Sequence, residues 1–186
     1  MIGSYPPQSP LTNGNDLSKS EETRRVVAAM VDGLNDHAVE KTDSFFAQDF
    51  RWMGNAGCGL KLGLPDYIAN WQDPFVEVFT DRIFIDEARV TEGEWMSAFG
   101  HCMATHSGTF LGIPPTGKRV EIRYMDFWHV KNGKILDNWV MVDFPYVMRQ
   151  LGTDPFNGLG WEKTNKEAVP AFDAPRNVPA SVDGTS

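Results

Sequence analysis

Hydrophobic residues recur at helical spacing in the first part of the chain. Between residues 18 and 35 they lie three and four positions apart, which predicts an amphipathic helix with one buried face. The members of that face are Val26, Val27, Met30, Val31 and Leu34. A shorter pattern over residues 39–46 predicts a second helix. A third is expected from Pro65 to Pro74, where the proline lacks a backbone donor and should kink or end it before Phe75.

Beyond residue 80 the pattern changes to alternation, which is typical of β-strands. The predicted strands are residues 82–90, 95–109, 119–131 and 134–143, with a brief one at 50–53 ahead of a glycine-rich loop. Asn132 and Gly133 separate the last two strands, and this pair favours a two-residue hairpin turn because both positions need positive φ. Helices followed by a four-stranded antiparallel meander predict an α+β fold.

A single folded domain accounts for the patterned part of the chain, residues 18–152. Residues 1–17 are rich in proline and small polar residues without periodicity, so we expect a mobile N-terminal arm. Residues 153–186 are similarly aperiodic but retain apolar side chains such as Phe156 and Trp161. We therefore expect a C-terminal extension that packs in part on the domain or on a partner subunit and is disordered at its end.

The composition disfavours several classes of function. The chain has 186 residues, of which 41% are hydrophobic, and a net charge of −8, so it can form a core but offers little to nucleic-acid phosphates. The longest apolar run, residues 26–31, is far below the roughly 20 residues of a membrane helix. The N-terminus has neither the basic start nor the apolar core of a signal peptide. We expect a soluble cytoplasmic protein that binds neither nucleic acid nor membranes.

The cysteines and histidines do not predict a metal site. Cys58 and Cys102 lie far apart without CxxC spacing, so neither a zinc site nor a disulfide framework is indicated. His101, His106 and His129 fall on neighbouring predicted strands, and three imidazoles would suit zinc if they converged. Nothing in the sequence brings them together, and we predict no metal.

Four short motifs follow one another in the second half of the chain. They are Thr-His-Ser-Gly at 105–108, Gly-Ile-Pro-Pro-Thr-Gly at 112–117, Asn-Gly-Lys-Ile at 132–135 and Gln-Leu-Gly at 150–152. In this order and spacing the chain resembles the SnoaL-like polyketide cyclases, or ester cyclases, of the nuclear transport factor 2-like superfamily. The resemblance implies a cone-shaped, curved antiparallel sheet wrapped around N-terminal helices. It also implies a cofactor-independent cyclase, isomerase or dehydratase for an aromatic or polyketide-like small molecule, and we expect a homodimer formed through the outer sheet face.

The acid and base positions implied by the resemblance fall on two neighbouring strands. In the family, an aspartate five residues after the Ile of Gly-Lys-Ile acts as general acid and base, and that position is Val140 here. The family's pocket histidine falls at Asp126. Either the acid has moved to Asp126, which predicts an enzyme, or it has been lost, which predicts a non-catalytic protein that binds a small molecule.

The register of the last hairpin leaves two alternatives. A tight turn that pairs Lys131 with Lys134 also pairs Asp126 with Trp139, and places Asp126 and Val140 on opposite faces because faces alternate along a strand. The resemblance places both Asp126 and Val140 at the pocket. Either a bulge lies in the last strand, or only one of the two faces inward.

Asp126, His129 and His106 are the candidate catalytic residues. A carboxylate buried in the aromatic run around Asp126 would have a raised pKa suited to proton transfer, whereas the alternative is a salt bridge or a hydrogen bond at a subunit interface. His129 is either a base near neutral pH or a half-exposed strand histidine. His106 is either a base or a hydrogen-bond partner of the following loop. Asp143 precedes a Phe-Pro helix start and is expected to be an N-cap.

Large apolar side chains are the predicted substrate-binding residues. The resemblance places Met30 and Trp71 at positions that face the substrate in the cyclases. The other predicted pocket residues are Trp52, Phe75, Phe127, Trp139 and Val140. Together they predict a pocket for a flat hydrophobic molecule; the alternative is that they are ordinary core residues.

Overall fold

The computed structural model describes residues 17–36 and 43–159. The predicted arm, apart from Leu17, and the part of the predicted extension beyond residue 159 lie outside the described residues. So does the first part of the predicted second helix. Its described remainder is a short 3-10 turn, Asp43–Phe45, and Phe46 already begins a strand, so the predicted helix does not reach that residue.

Helix α1 spans Leu17–Asn35 and covers one face of a sheet. Its buried residues are Thr23, Val26, Val27, Met30 and Val31, so the face predicted from the periodicity is confirmed apart from Leu34, which is partly buried. Neither this helix nor any other in the described ranges is both long and apolar enough to cross a membrane.

A second helical segment, residues 64–78, changes its winding along its length. Its parts are helix α2, Leu64–Tyr67, a π-helical turn, Ile68–Gln72, and helix α3, Asp73–Val78. The wide turn ends just before Pro74, so the proline lies in the first turn of α3, where its missing N–H is tolerated. The helix therefore continues to Val78, so of the two effects expected of Pro74, a kink or an end before Phe75, the end is excluded.

An open, curved sheet of six strands packs against these helices. The strands are β1 Phe46–Gly54, β2 Leu60–Leu62, β3 Phe79–Glu92, β4 Trp95–His106, β5 Arg119–Lys131 and β6 Lys134–Val142. They lie in the order β2-β1-β6-β5-β4-β3. The predicted α+β class is confirmed, and the predicted meander is extended at one edge by β1 and β2. The sheet is not wholly antiparallel, because β1 runs parallel to β6.

A short final helix, α4, spans Phe144–Gln150 and starts directly after β6. The side chain of Asp143 accepts a hydrogen bond of 3.1 Å from the backbone N–H of Tyr146. Asp143 is therefore the N-cap that its position before a proline predicts.

A bulge in β6 decides which side chains face the helices. Lys131 pairs with Lys134 as the turn predicts, but His129 pairs with Asp137 and Val130 with Ile135, so Leu136 is an extra residue. Beyond the bulge the register is shifted by one, and Asp126 lies opposite Val140 instead of Trp139. Of the two alternatives left by the sequence, the bulge is the one that the structure has.

A second bulge lies in β3 at Glu87, where Asp86 pairs with Gly100 and Ala88 with Phe99. The two strands approach closely there. A Cβ atom placed on Gly100 would lie 2.1 Å from the carbonyl oxygen of Ile85, a distance that no side chain tolerates. Gly100 is therefore required for this bulge, which carries Asp86 on the face turned toward α1. We call this the concave face and the opposite one the convex face.

Replacing Gly100 with alanine is expected to lower the free energy of unfolding by about 3 kcal/mol, because a contact with backbone cannot be relieved by a rotamer change. Gly112→Ala is the matched control, since its φ of 83° is unfavourable but a Cβ there meets no atom within 4 Å. Its cost should be about 1 to 2 kcal/mol. Urea unfolding followed by circular dichroism measures both. A Gly100→Ala protein as stable as Gly112→Ala would contradict the close approach.

Candidate functional site

A cavity of about 110 Å³ lies between α1, the helical segment at residues 64–78 and the concave face of the sheet. Its apolar lining includes Met30, Trp52, Trp71, Phe75, Trp128 and Val140. Its polar lining includes Tyr67, Gln72, Arg82, Asp86, Tyr124, Asp126 and Asn138. A mostly apolar hollow with a few convergent polar groups is the usual form of a small-molecule site.

Stacked aromatic rings form one wall of the cavity. The ring centroids of Trp52 and Trp71 are 4.1 Å apart with an interplanar angle of 29°. Trp71 continues the stack to Phe75, at 5.5 Å and 18°. Nearly parallel rings leave slot-shaped space beside them, so this wall favours a flat ring system over a bulky aliphatic molecule.

Asp126 is the buried carboxyl group of the cavity. The residue is 8% exposed, and the side-chain amide of Asn138 donates a hydrogen bond of 2.8 Å to its Oδ1. Burial raises the pKa of Asp126 to about 7, and the nearby carboxylate of Asp86 acts in the same direction, while the Asn138 hydrogen bond opposes the rise. Both protonation states of Asp126 are therefore populated near neutral pH.

Asp86 is held in a different way. Its Oδ1 accepts a hydrogen bond of 2.6 Å from the hydroxyl of Tyr124, and its Oδ2 forms an ion pair of 2.5 Å with Arg89. Burial, followed by the hydrogen bond to Asp86, raises the pKa of Tyr124 far above its usual range. Tyr124 therefore remains protonated and donates to Asp86. The two carboxyl groups thus differ in environment, because Asp86 has an ion-pair partner and Asp126 has only the amide of Asn138.

Arg82 contributes a buried cation, being only 6% exposed. Its Nη1 donates to the backbone oxygens of Phe79, at 2.6 Å, and of Val76, at 3.4 Å. Burial lowers the pKa of Arg82, yet a guanidinium group remains charged in proteins. Among the described residues, no carboxylate forms an ion pair with it.

Most of the predicted substrate-binding residues line the cavity. Met30, Trp52, Trp71, Phe75 and Val140 all do so. Phe127 and Trp139 do not, and this corrects their expected placement. Phe127 alternates with Asp126 along β5 and so lies on the convex face, where it is 49% exposed. Trp139 is turned to that face by the Leu136 bulge.

His129 lies on the convex face, away from the cavity. Its Nδ1 is 3.2 Å from Oδ2 of Asp137, and its Nε2 is 3.3 Å from Oε2 of Glu94. The imidazole also stacks on Trp95, with centroids 4.5 Å apart. Arg51 completes the group through an ion pair of 2.6 Å with Asp137. The residue is 8% exposed, so the expected half-exposed strand histidine is wrong, and both ring nitrogens have partners.

His106 lies at the end of β4 and is fully buried, but it does not line the cavity. Its Nδ1 is 3.0 Å from the hydroxyl of Thr116 in the following loop. The ring packs on Phe79 and Phe110. Burial lowers the pKa of His106, so the neutral form is favoured. Of the two expectations for this residue, the structure has the hydrogen bond to the loop.

Several polar residues of the cavity are not among the predicted site residues: Tyr67, Gln72, Arg82, Asp86, Tyr124 and Asn138. The alternation of residues 82–90 contains a signal for two of them, because Arg82 and Asp86 each lie two positions from Phe84 and so share its face. Asn138 reaches the concave face only because of the Leu136 bulge. Gln72 lies on the π-helical turn, which the sequence pattern does not predict.

The described residues contain no group of three or more His, Cys, Asp or Glu side chains placed to hold a metal ion. The histidines considered for zinc have separate partners. His101 lies 3.1 Å from Glu87, whereas His106 and His129 make the contacts given above.

Comparison with known proteins agrees with the fold. A sequence model of the SnoaL-like polyketide cyclases matches residues 24–151. The nogalonic acid methyl ester cyclase of Streptomyces nogalater is 28% identical over 134 residues, which cover 71% of this chain and 98% of that protein.

Solved structures show the same fold. A SnoaL-like polyketide cyclase from Agrobacterium tumefaciens superposes with a TM-score of 0.58 at 24% identity, covering 70% of this chain and 98% of that one. An NTF2-like protein of unknown function from Burkholderia pseudomallei superposes with a TM-score of 0.60 at 15% identity, covering 71% and 98%. At these identities the likeness establishes the architecture, a cone-like sheet closed by helices.

The raised pKa of Asp126 predicts a pH-dependent stability. A free aspartate has a pKa of ~3.9, so between about pH 4 and pH 7 the unfolded chain ionises this group while the folded chain keeps it protonated. The stability that Asp126 contributes is therefore present at low pH and is lost as the pH rises through about 7.

Asp126→Asn removes this ionisation. We compare the melting temperature of the variant with that of the unmodified protein at each pH. The variant should gain relative to the unmodified protein between pH 5 and pH 8, because only the unmodified protein loses stability by ionisation at this position. Asp49→Asn, which changes an exposed carboxylate on β1, serves as control and should give nearly the same difference at both pH values. Thermal unfolding by calorimetry measures the effect. A difference for Asp126→Asn that does not change with pH would show that Asp126 ionises normally in the folded state.

Proposed function

Because the chain belongs to the SnoaL-like polyketide cyclase family, we propose that it is a cofactor-independent enzyme of the cyclase or isomerase kind, with Asp126 as its general acid and base. The observation that carries the proposal is the buried Asp126 carboxyl group, which has a pKa of about 7 and lines a flat aromatic cavity. A group with this pKa gives up and takes back protons at neutral pH.

A ring closure would use both states of this carboxyl group. The Asp126 carboxylate removes a proton from a carbon next to a substrate carbonyl, which leaves an enolate. The enolate carbon then attacks a second carbonyl carbon of the same molecule and forms the new carbon–carbon bond. Asp126 returns its proton to the resulting alkoxide, so the reaction is an isomerisation and consumes no other reagent. Asn138, at 2.8 Å, orients the carboxyl group by donating to Oδ1.

The proposed substrate is an aromatic or polyketide-like molecule. The related protein of Streptomyces nogalater is named as a cyclase of nogalonic acid methyl ester. The stacked wall of Trp52, Trp71 and Phe75 supports a flat substrate for this chain as well.

A non-catalytic binding protein is the second candidate. The observation that favours it is Val140, which lines the cavity at the position of the family's acid and cannot transfer a proton. In this case the cavity would bind the same class of molecule without converting it, and Asp126 would serve only as a hydrogen-bonding group.

We further propose that two copies of the chain associate through the convex face. Phe99, Met125 and Met141 form a row across β4, β5 and β6, because Met125 pairs with both of the others. Their exposed fractions are 41%, 53% and 62%, and Phe127 beside them is 49% exposed. A contiguous apolar strip of this kind marks an interaction surface, and a second copy with the same strip matches it by symmetry.

Asp126→Asn is expected to lower turnover by ~10² to 10⁴, the usual contribution of general acid or base catalysis, with little change in ligand affinity. The measurement is conversion of a panel of polyketide-like esters and hydroxy ketones, followed by chromatography and mass spectrometry. His129→Gln is the control, since His129 lies on the convex face, and it should retain turnover.

Two results would contradict the catalytic role. Tight binding by the unmodified protein without turnover of any panel member would favour the binding protein. Unchanged turnover in Asp126→Asn would remove Asp126 from the reaction.

The proposed dimer is tested with the double variant Met125→Glu, Phe127→Glu. Light scattering during gel filtration should give twice the monomer mass for the unmodified protein and the monomer mass for the variant, because two carboxylates in an apolar interface are costly to desolvate. Leu111→Glu changes an apolar residue that is 56% exposed in a loop and should remain dimeric. A monomeric unmodified protein would exclude this interface.

A further inference from the structure

We propose that Arg82 binds a carboxylate group of the ligand, so that the cavity prefers a flat aromatic acid over its neutral ester. The inference rests on the proposed function in one respect, namely that the ligand of this cavity is the substrate. It concerns a residue outside the acid and base chemistry assigned to Asp126.

The hydrogen bonds of Arg82 leave one edge of its guanidinium group open. Nη1 uses its two hydrogens on the backbone oxygens of Phe79 and Val76, at the end of helix α3. Nε and Nη2 have no hydrogen-bond partner among residues 17–36 and 43–159, although the side chain lines the cavity. These two nitrogens carry the parallel N–H groups that bind both oxygens of a carboxylate.

No carboxylate of the described residues forms an ion pair with Arg82, although the exposed carboxylate of the neighbouring Asp81 favours its charged form. Asp86 is already engaged by Arg89 and by the hydroxyl of Tyr124. Asp126 is bonded to Asn138 and is largely protonated below pH 7. A buried cation without an ion-paired carboxylate is costly, and an anion from the ligand relieves that cost. The complementary ligand therefore has a negative charge.

The backbone of β3 turns Arg82 toward the cavity. Thr80 pairs with Thr105 and Ile83 with Met103, so one extra residue lies between them, and Asp81 there has a φ of 51°. After this irregularity Arg82 is buried and the neighbouring Ile83 is 51% exposed. A surface arginine would not need such a placement, so the arrangement favours a role inside the cavity.

Gln72 independently indicates that the cavity binds a polar ligand. The residue is 5% exposed and lines the cavity, and its Nε2 donates to Oδ1 of Asp43 at 3.2 Å. Its Oε1 is buried without a hydrogen-bond partner. An unmade hydrogen bond of this kind is costly, and a hydroxyl group on the ligand would complete it. The ligand class is therefore a hydroxylated aromatic carboxylic acid.

The alternative is that Arg82 only closes the end of α3 by binding its last carbonyl groups, a common position for a cation. The two roles differ in what they predict for binding. A purely structural arginine affects the stability of the fold but does not distinguish an acid from its methyl ester.

The probes are 2-naphthoate and methyl 2-naphthoate, which share a flat ring system and differ in charge. Binding is measured by isothermal titration calorimetry at pH 6, where the acid is ionised and Asp126 is largely protonated. The unmodified protein should bind 2-naphthoate about 10-fold to 100-fold more tightly than the ester, as expected for hydrogen bonds to a charged group. Arg82→Met should abolish this preference while its affinity for the ester stays within about twofold.

Arg24→Met is the matched control, because Arg24 is exposed on α1, pairs with Glu21 and does not line the cavity. It should keep the preference for 2-naphthoate. Equal affinities of the unmodified protein for acid and ester would overturn the proposal, and this comparison needs no variant to fold. Loss of the preference in Arg24→Met to the same extent as in Arg82→Met would also overturn it.

The outcome is separable from that of the proposed function. A preference for the acid that depends on Arg82, together with unchanged turnover in Asp126→Asn, would support this inference and contradict the catalytic assignment. Turnover that depends on Asp126, with no preference for the acid, would support the catalytic assignment and contradict this inference.

Discussion

The single extra residue in β6, Leu136, is the constraint on which the composition of the cavity depends. Side chains alternate between the two faces of a strand, so one inserted residue exchanges the faces of everything beyond it. With the bulge, Asn138 and Val140 meet Asp126 on the concave face. Without it, Trp139 would stand opposite Asp126, and the carboxyl group would lose its amide partner.

Burial then gives each polar group of the cavity its chemical character. In a region from which water is largely excluded, a charge is stable only beside a partner. Asp86 has such partners in Arg89 and Tyr124 and forms an ion pair. Asp126 has only a neutral amide, so its pKa rises. Arg82 donates only to backbone carbonyl groups, so no carboxylate of the described residues forms an ion pair with it. Asp86, Asp126 and Arg82 line one cavity, yet they differ in charge and in pKa because each has different neighbours.

The two faces of the sheet are used for different purposes. On the convex face, His129 joins Asp137, Glu94 and Arg51 in a polar network. Each member of that network has a partner within it, and none of the four lines the cavity. A histidine in a strand is thus not evidence of catalysis by itself, since the same residue type serves to hold neighbouring strands together. The concave face carries the groups whose partners are incomplete, and incomplete partners are what a ligand can supply.

Much of the fold follows from local spacing of residue types. The apolar face of α1, the turn at Asn132 and Gly133, and the N-cap at Asp143 are all readable from a few neighbouring positions. The resemblance to the cyclase family, whose short motifs occur in the same order in this chain, predicts Met30 and Trp71 at the cavity, and both line it. The placement of Phe127 failed because alternation tells which residues share a face, but not which face meets the helices. That of Trp139 failed because the Leu136 bulge turns it to the convex face.

The sequence by itself determined the α+β class, the last hairpin and the family, since these depend on periodicity, turn chemistry and the order of short motifs. Only the tertiary structure decided that Arg82, Asp126 and Gln72 line the same cavity. Arg82 requires an irregularity in β3, Asp126 gains its partner through a bulge in β6, and Gln72 depends on a π-helical turn. Such irregularities are set by packing between segments far apart in the chain, and a local pattern carries no information about that packing.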